Sequence, residues 1–252
     1  MRFSAQRRDQ ISRYIRKGLL LLSHSRFMRA MVGYRVAAGT EHLESIRLCA
    51  ANSLVDVGAN KGQFSLAFRA LRPRAHIIAF EPLPEAADIY ERLFARDRLT
   101  RLERVALSNS KGAAQFHVTD RADNSSLLKP GKGHERAAGV RCARTIEVPV
   151  ERLDECVDVS RLAHPILLKV DVQGGELDVF EGCDALADFD YIYAELGFVA
   201  LYEGQPLFQE VNEYLARRGF TIAGVFDQIV TAEYGPTQVD VLFRRGSASA
   251  TE

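Results

Sequence analysis

The run Leu54-Val55-Asp56-Val57-Gly58-Ala59-Asn60-Lys61-Gly62-Gln63-Phe64 constrains this chain more than any other stretch. Apolar residues lead to an acid and a small-residue turn follows. Phe64, Ala67, Phe68 and Leu71 then recur at the three- and four-residue spacing of a helix. The pattern predicts strand, glycine turn, helix. Glycines at 58 and 62 let the backbone bend sharply and let a ligand approach the main chain. The helix that follows aims its free N–H groups at the same spot. In a doubly wound sheet, such a turn at the carboxyl end of a strand is where nucleotide-like ligands bind.

Glycine-rich turns serve several ligands, and the side chains separate them. A dinucleotide fingerprint needs a second glycine where this chain has Asn60, and no G-x-x-x-x-G-K-[ST] phosphate loop is present. An acid at the strand end and a tolerated side chain in the turn suit a ligand with an amine and no phosphates, such as S-adenosylmethionine. The next apolar run, His76-Ile77-Ile78-Ala79-Phe80-Glu81-Pro82, closes on another acid. It falls roughly twenty residues after the turn, the spacing at which a carboxylate meets ribose hydroxyls in βαβ nucleotide sites. A carboxylate accepts two such hydrogen bonds at once, so Glu81 is the expected ribose ligand.

Helix 61–71, strand 76–81, helix 84–96 and strand 100–107 alternate, as in a parallel sheet with right-handed crossovers. The third strand is expected to end at Ala106-Leu107-Ser108-Asn109, with Ala106 at the adenine edge of the ligand. From 109 to 155 the helical rhythm stops. Alternating runs at 113–119 and 144–150 predict an added β-hairpin, and the glycine-rich, basic segment 129–143 between them predicts little structure of its own. Its Lys129, Lys132, Arg136, Arg141 and Arg144 could meet an anionic substrate or simply face water. The rhythm resumes with strand 166–171, helix 176–182, strand 191–196, helix 206–218 and strands 220–226 and 239–244, completing seven core strands.

Lys169 and Asp171 stand two apart on one strand and so share a face, with Asp171 at the carboxyl end. Glu195 closes the next strand on the same rim. Carboxylates beside a methyl sulfonium suit methylation of a hydroxyl, in which a base removes the proton as the new bond forms. Asp171, Lys169 and Glu195 are therefore the candidate catalytic residues, Asp171 first as base or substrate anchor. Asp171, Glu176 and Glu195 could hold Mg²⁺, but no close carboxylate cluster requires it, and no metal site is predicted. His134 is the histidine placed to reach a site, while His24, His42, His76, His117 and His164 read as helix, strand-edge or turn residues.

The formal net charge of the 252-residue chain is zero, which argues against a nucleic-acid partner. Cys49, Cys142, Cys156 and Cys183 form no C-x-x-C pair and read as free thiols of a cytoplasmic protein. Residues 1–49 form an N-terminal extension, helical over 6–36 and rich in arginine. It either packs on the domain or, through residues 1–40, contacts an inner membrane surface peripherally. The main domain is expected to span 50–245, with a frayed tail at 246–252.

Together, Val55-Asp56-Val57-Gly58-Ala59-Asn60-Lys61-Gly62, Phe80-Glu81-Pro82, Ala106-Leu107-Ser108, Asn124-Ser125-Ser126-Leu127, Leu153-Asp154-Glu155, Leu168-Lys169-Val170-Asp171-Val172-Gln173-Gly174-x-Glu176 and Asp240-x-x-Phe243 resemble the ordered motifs of the FkbM-type methyltransferases. The resemblance implies an α/β, class I (Rossmann-like) methyltransferase fold: a seven-stranded sheet with helices on both faces. It also implies S-adenosylmethionine as cofactor, held by Asp56, Gly58, Asn60, Gly62 and Glu81, and a sugar, glycoconjugate or polyketide-like hydroxyl as acceptor. Gly175 departs from the pattern, where a larger side chain is usual. The alternative is a cofactor-binding subunit without catalysis that docks on a membrane or a glycan-synthesis assembly. A nicotinamide-linked oxidoreductase is disfavoured by Asn60. Oligomeric state has no signature here.

Overall fold

The computed structural model describes residues 24–246. Residues 1–23, which include the first part of the helix expected over 6–36, and residues 247–252 of the tail expected over 246–252 lie outside the described residues. In chain order the principal elements are α1 (Ser25–Tyr34), α2 (Leu43–Cys49), β1 (Ser53–Val57), α3 (Gln63–Leu71), β2 (His76–Phe80), α4 (Pro84–Phe94), β3 (Thr100–Glu103), β4 (Ala106–Leu107) and β5 (Gly112–Thr119). They continue with α5 (Lys132–Ala138), β6 (Cys142–Glu151), α6 (Leu153–Cys156), β7 (Ile166–Val170), α7 (Glu176–Glu181), β8 (Tyr191–Gly197), α8 (Phe208–Ala216), β9 (Phe220–Thr231) and β10 (Gly235–Arg245).

The main sheet has seven strands in the order β3-β2-β1-β7-β8-β10-β9, the expected doubly wound arrangement. Strands β1, β2, β3, β7 and β8 are parallel, and β10 runs antiparallel to both neighbours. Val55 stands opposite Ile78 on one side and Leu168 on the other, so β1 is central. All five of its residues are buried, as a strand covered on both faces requires. Alternation divides them. Val55 and Val57 join a core with Val179 and Phe180 of α7 and Val211 and Leu215 of α8. Leu54 faces the opposite layer, against Leu43 and Ile46 of α2 and Phe64 and Phe68 of α3. Helices therefore cover both faces. In α1, Phe27 and Ala30 pack with Leu66, Ala79, Tyr90 and Phe94, so this part of the arginine-rich segment lays its apolar face on the domain.

Two expectations need correction. The run 100–107 is not one strand: Thr100–Glu103 pairs with β2, whereas Ala106–Leu107 leaves the sheet and pairs with Val150 and Glu151 of β6. With β5 antiparallel to β6, the added hairpin becomes a separate three-stranded sheet in the order β4-β6-β5. The segment 129–143 is also ordered, since Lys132–Ala138 forms a helix. A Cβ at Gly133 would lie 2.6 Å from the Ala200 carbonyl oxygen, so this glycine serves close backbone packing. Lys129 and Arg141 pair with Glu203 and Glu135 at 3.2 and 2.6 Å, and Arg144 pairs with Glu85. Among the described residues, no helix is long and apolar enough to cross a membrane.

Candidate active site

At the end of β1 the chain turns hard against the end of β7. Gly58 has φ +72°, and a Cβ there would fall 1.8 Å from the Asp171 carbonyl oxygen, so only glycine fits. The Gly58 and Ala59 N–H groups donate to the Phe80 carbonyl at 3.1 and 2.9 Å, tying the turn to β2. Asn60 follows in the left-handed region at φ +47°, which asparagine tolerates better than most residues. Its N–H donates to Glu81 Oε2 at 2.7 Å, and the Leu83 N–H donates to Oε1 at 2.8 Å.

Along these strand ends runs a cleft of about 230 Å³. Gly58, Asn60, Glu81, Ala106, Lys169 and Asp171 all line it. Asp56, Gly62 and Glu195 are not part of its lining. Gly62 turns toward α4, where a Cβ would crowd Phe94 and Tyr90. Asp56 lies wholly buried beneath the floor, accepting from the Ser65 hydroxyl at 2.6 Å.

Glu81 is only 6% exposed, yet it faces the cleft. Burial pushes its carboxyl up to about 7, against the opposing pull of the Leu83 and Asn60 N–H groups and Lys169. Each carboxylate oxygen spends one lone pair on a backbone donor, which leaves one apiece for a ligand. Two further acceptors in the lining, Asn60 Oδ1 and Gln63 Oε1, are buried without a hydrogen-bond partner in the protein. Buried acceptors are normally satisfied, so these two suit a ligand that brings donors.

The Lys169 ammonium ties the floor together. Nζ lies 2.8 Å from the Gly58 carbonyl, 3.3 Å from that of Val57, 3.2 Å from Asp56 Oδ1 and 3.7 Å from Asp171 Oδ2. Burial works against its charge, but Asp56 and Asp171 outweigh burial and its pKa is raised. It stays protonated at neutral pH, so it can hold a carboxylate but cannot accept a proton. Asp171 opens to the cleft with its side chain 38% exposed. Its Oδ1 accepts from Gln173 Nε2 at 2.9 Å.

Glu195 acts one step removed. Its Oε2 accepts from Gln173 Nε2 at 2.7 Å and from Gln238 Nε2 at 2.8 Å, so it steadies the amide that steadies Asp171. Burial raises its carboxyl well above the usual range, with Asp171 adding to the effect. Glu176 instead caps its own loop: Oε1 accepts from the N–H groups of Val172 and Gly174 at 3.1 and 3.0 Å. Ser126, from the Asn-Ser-Ser-Leu motif, donates to the Gln173 carbonyl at 2.8 Å and braces the loop from the other side. Among the described residues, no group of three or more His, Cys, Asp or Glu side chains is placed to hold a metal ion.

A family model described as the methyltransferase FkbM domain matches residues 56–222. This chain belongs to the FkbM methyltransferase family. It is 32% identical over 209 residues to the 2-O-methyltransferase NoeI of Sinorhizobium fredii, covering 78% of this chain and 86% of that protein. Methyltransferase sdnD of Sordaria araneosa is 30% identical over 232 residues, covering 82% and 86%. The hexuronic acid methyltransferase AglP of Haloferax volcanii is 30% identical over 145 residues, covering 57% of this chain and 55% of its own. Of the FkbM motifs, Gly58 and Asn60, Phe80-Glu81-Pro82, Ala106-Leu107-Ser108, Ser125 and Leu127, and Lys169 and Asp171 line one cleft, whereas Leu153-Asp154-Glu155, Asp240 and Phe243 do not.

His134 and His42 change places with respect to the sequence reading. His134 is 2% exposed and absent from the cleft lining, with Nε2 lying 3.2 Å from Asn124 Oδ1 and its ring edge-on to Tyr202. His42, read as a helix residue, lines the cleft. Its only trace in the sequence is the motif residue Asp240, to which it is paired at 3.4 Å.

Proposed function

We propose that this FkbM methyltransferase uses S-adenosylmethionine and methylates a hydroxyl of a sugar or glycoconjugate. The observation that carries the reading is Glu81, a buried strand-end carboxylate that lines the cleft with only one backbone donor on each oxygen. It would accept the two ribose hydroxyls. Asn60 Oδ1 and Gln63 Oε1 would take the ammonium group, and Pro82, Val105, Ala106 and Leu107 offer the adenine an apolar wall. The residues present therefore fit the cofactor. When bound, it supplies an electrophilic methyl group on a positively charged sulfur.

The chain's own task is to hold the acceptor hydroxyl in line with that methyl. Asp171 is a half-buried carboxylate of the cleft lining, fixed by Gln173 on one oxygen and faced by Lys169 on the other, so it presents a preorganised acceptor for a hydroxyl. Gly175 also lines the cleft, and a methyl added there would meet only Val172 at 3.5 Å. The missing side chain leaves width for a bulky ring. The names of NoeI, a 2-O-methyltransferase, and AglP, a hexuronic acid methyltransferase, support a carbohydrate acceptor.

The test is transfer of labelled methyl to nucleotide sugars, free glycans and lipid-linked glycans, with and without Mg²⁺, with the methylated atom located by NMR. An O-methyl ether on a sugar is expected. Methylation of nitrogen, or of a carboxylate alone, would contradict the reading. Asp171→Asn is expected to lower kcat/KM by about 30-fold through lost hydroxyl binding, with the cofactor Kd changed less than about twofold.

A further inference from the structure

The lining of the cleft contains a group that the scheme above leaves idle. His42, in the turn before α2, packs its ring 5.2 Å from that of Phe64 and stands edge-on to Tyr193 at 5.6 Å. Its Nδ1 lies 3.0 Å from the Tyr193 hydroxyl and 3.4 Å from Asp240 Oδ2. Tyr193 in turn donates to that same Asp240 oxygen at 2.8 Å, so its own oxygen is left to accept from Nδ1–H. This arrangement selects the tautomer with the proton on Nδ1 and the free electron pair on Nε2. Tyr193 of β8 and Asp240 of β10 hold the ring, Phe64 of α3 packs against it at a tilt, and His42 lines the cleft that Asp171 also lines.

We propose that His42 Nε2 is the general base that takes the proton of the acceptor hydroxyl, with Asp240 and Tyr193 as its positioning residues. The inference rests on the O-methyltransferase reading and names the proton acceptor within it. As the hydroxyl oxygen forms its bond to the methyl carbon, the methyl–sulfur bond breaks and its electron pair stays on sulfur. The hydroxyl proton passes to Nε2. The imidazolium so formed faces Asp240, and water removes the proton after release. Asp171 is less suited to this step because its two oxygens already face the Gln173 amide and the Lys169 ammonium.

The charges around His42 fit the role. Burial alone would lower its pKa, and Lys169 on β7 acts in the same direction. Asp240 on β10 and Glu41 beside it raise it, and the net shift is upward from 6.5. The upward shift makes Nε2 a stronger proton acceptor than a free imidazole toward a hydroxyl under attack.

The experiment combines kinetics with a readout on the protein alone. The pH dependence of kcat/KM for the acceptor is measured for wild type, His42→Gln and Asp240→Asn. S-adenosylmethionine is saturating at every pH, so that the loss of cofactor affinity expected from protonation of Glu81 does not enter the profile. In parallel, His42 is titrated by NMR in the wild type and Asp240→Asn, its signal assigned from its absence in His42→Gln. Methyl transfer by His42→Ala is followed with and without added imidazole. S-adenosylmethionine binding to each protein is measured by calorimetry. The expected results are a loss of kcat on the order of 100-fold in His42→Gln, cofactor Kd within about twofold of wild type, and partial rescue of His42→Ala by imidazole. The acid limb of the wild-type profile should coincide with the His42 titration midpoint, and both should move down in Asp240→Asn. Turnover of His42→Gln within a few fold of wild type, or an acid limb that persists in it, overturns the proposal while cofactor binding keeps the parent reading intact. A wild-type protein that binds no S-adenosylmethionine overturns both.

Discussion

Replacing Glu81 by alanine is expected to weaken S-adenosylmethionine binding by roughly 1,000-fold, the worth of two hydrogen bonds to a charged acceptor. The carboxylate lines the cleft, and the Asn60 and Leu83 N–H groups fix its plane while taking one lone pair of each oxygen. Glu81→Gln should lie in between, because an amide retains one acceptor oxygen and presents a donor where the second was. Calorimetry on the two variants checks the order. The alanine variant also leaves two backbone donors without their acceptor, so its thermal melting is measured alongside. A fall in affinity with Tm within a few degrees of wild type assigns the effect to the ligand contact.

The second large effect concerns stability. Lys169→Met is expected to destabilise the fold by about 3–5 kcal/mol, because it strands a buried carboxylate. Asp56 is wholly buried, and besides the Ser65 hydroxyl its partner is the Lys169 ammonium at 3.2 Å. The ammonium also binds the Gly58 carbonyl, so the turn itself loosens when it is removed. The double variant Asp56→Asn with Lys169→Met removes both charges and should recover a large part of the loss. Urea denaturation of the four proteins gives the coupling directly. If the two single losses simply add in the double variant, the pair does not act as a unit.

Much of this arrangement is written locally in the chain. The turn after β1 is legible because only certain residues can make it: Gly58 has no room for a side chain against Asp171, and an acid ends each of two apolar runs. The alternation of strand and helix follows from hydrophobic period, and it yields all seven strands of the main sheet. What periodicity cannot encode is the partner of a strand. Residues 100–107 read as one strand, yet β3 pairs with β2 and β4 with β6, a choice made by the added sheet. Glycine misleads in the segment 129–143 for a related reason. Gly133 admits the Ala200 carbonyl, a contact about 70 residues away that no local pattern reveals.

The site divides along the same line. Glu81, Asn60 and Asp171 end strands or sit in turns that sequence locates, and they line the cleft. Lys169 and Asp56 are visible as charges in apolar strands, and such charges are paired when buried; here they pair with each other. Glu195 sits on the expected strand end but reaches the cleft only through Gln173. His42 is the residue that local reading cannot place, because its partners Tyr193 and Asp240 come from strands roughly 150 and 200 residues further along the chain.

A calorimetric titration of the whole chain with S-adenosylmethionine at several pH values bears most directly on the central claim, that an adenosyl cofactor is gripped by the acid before Pro82. The Glu81 carboxyl is raised to about 7, and its ionised form is the one with both acceptors. Binding should therefore be one to one above that pH and weaken by up to about tenfold for each unit below it, with protons released as the cofactor binds. This descent should be missing in Glu81→Gln. The absence of binding at every pH, or an affinity that is the same at pH 6 and pH 8 in wild type and variant alike, would contradict it.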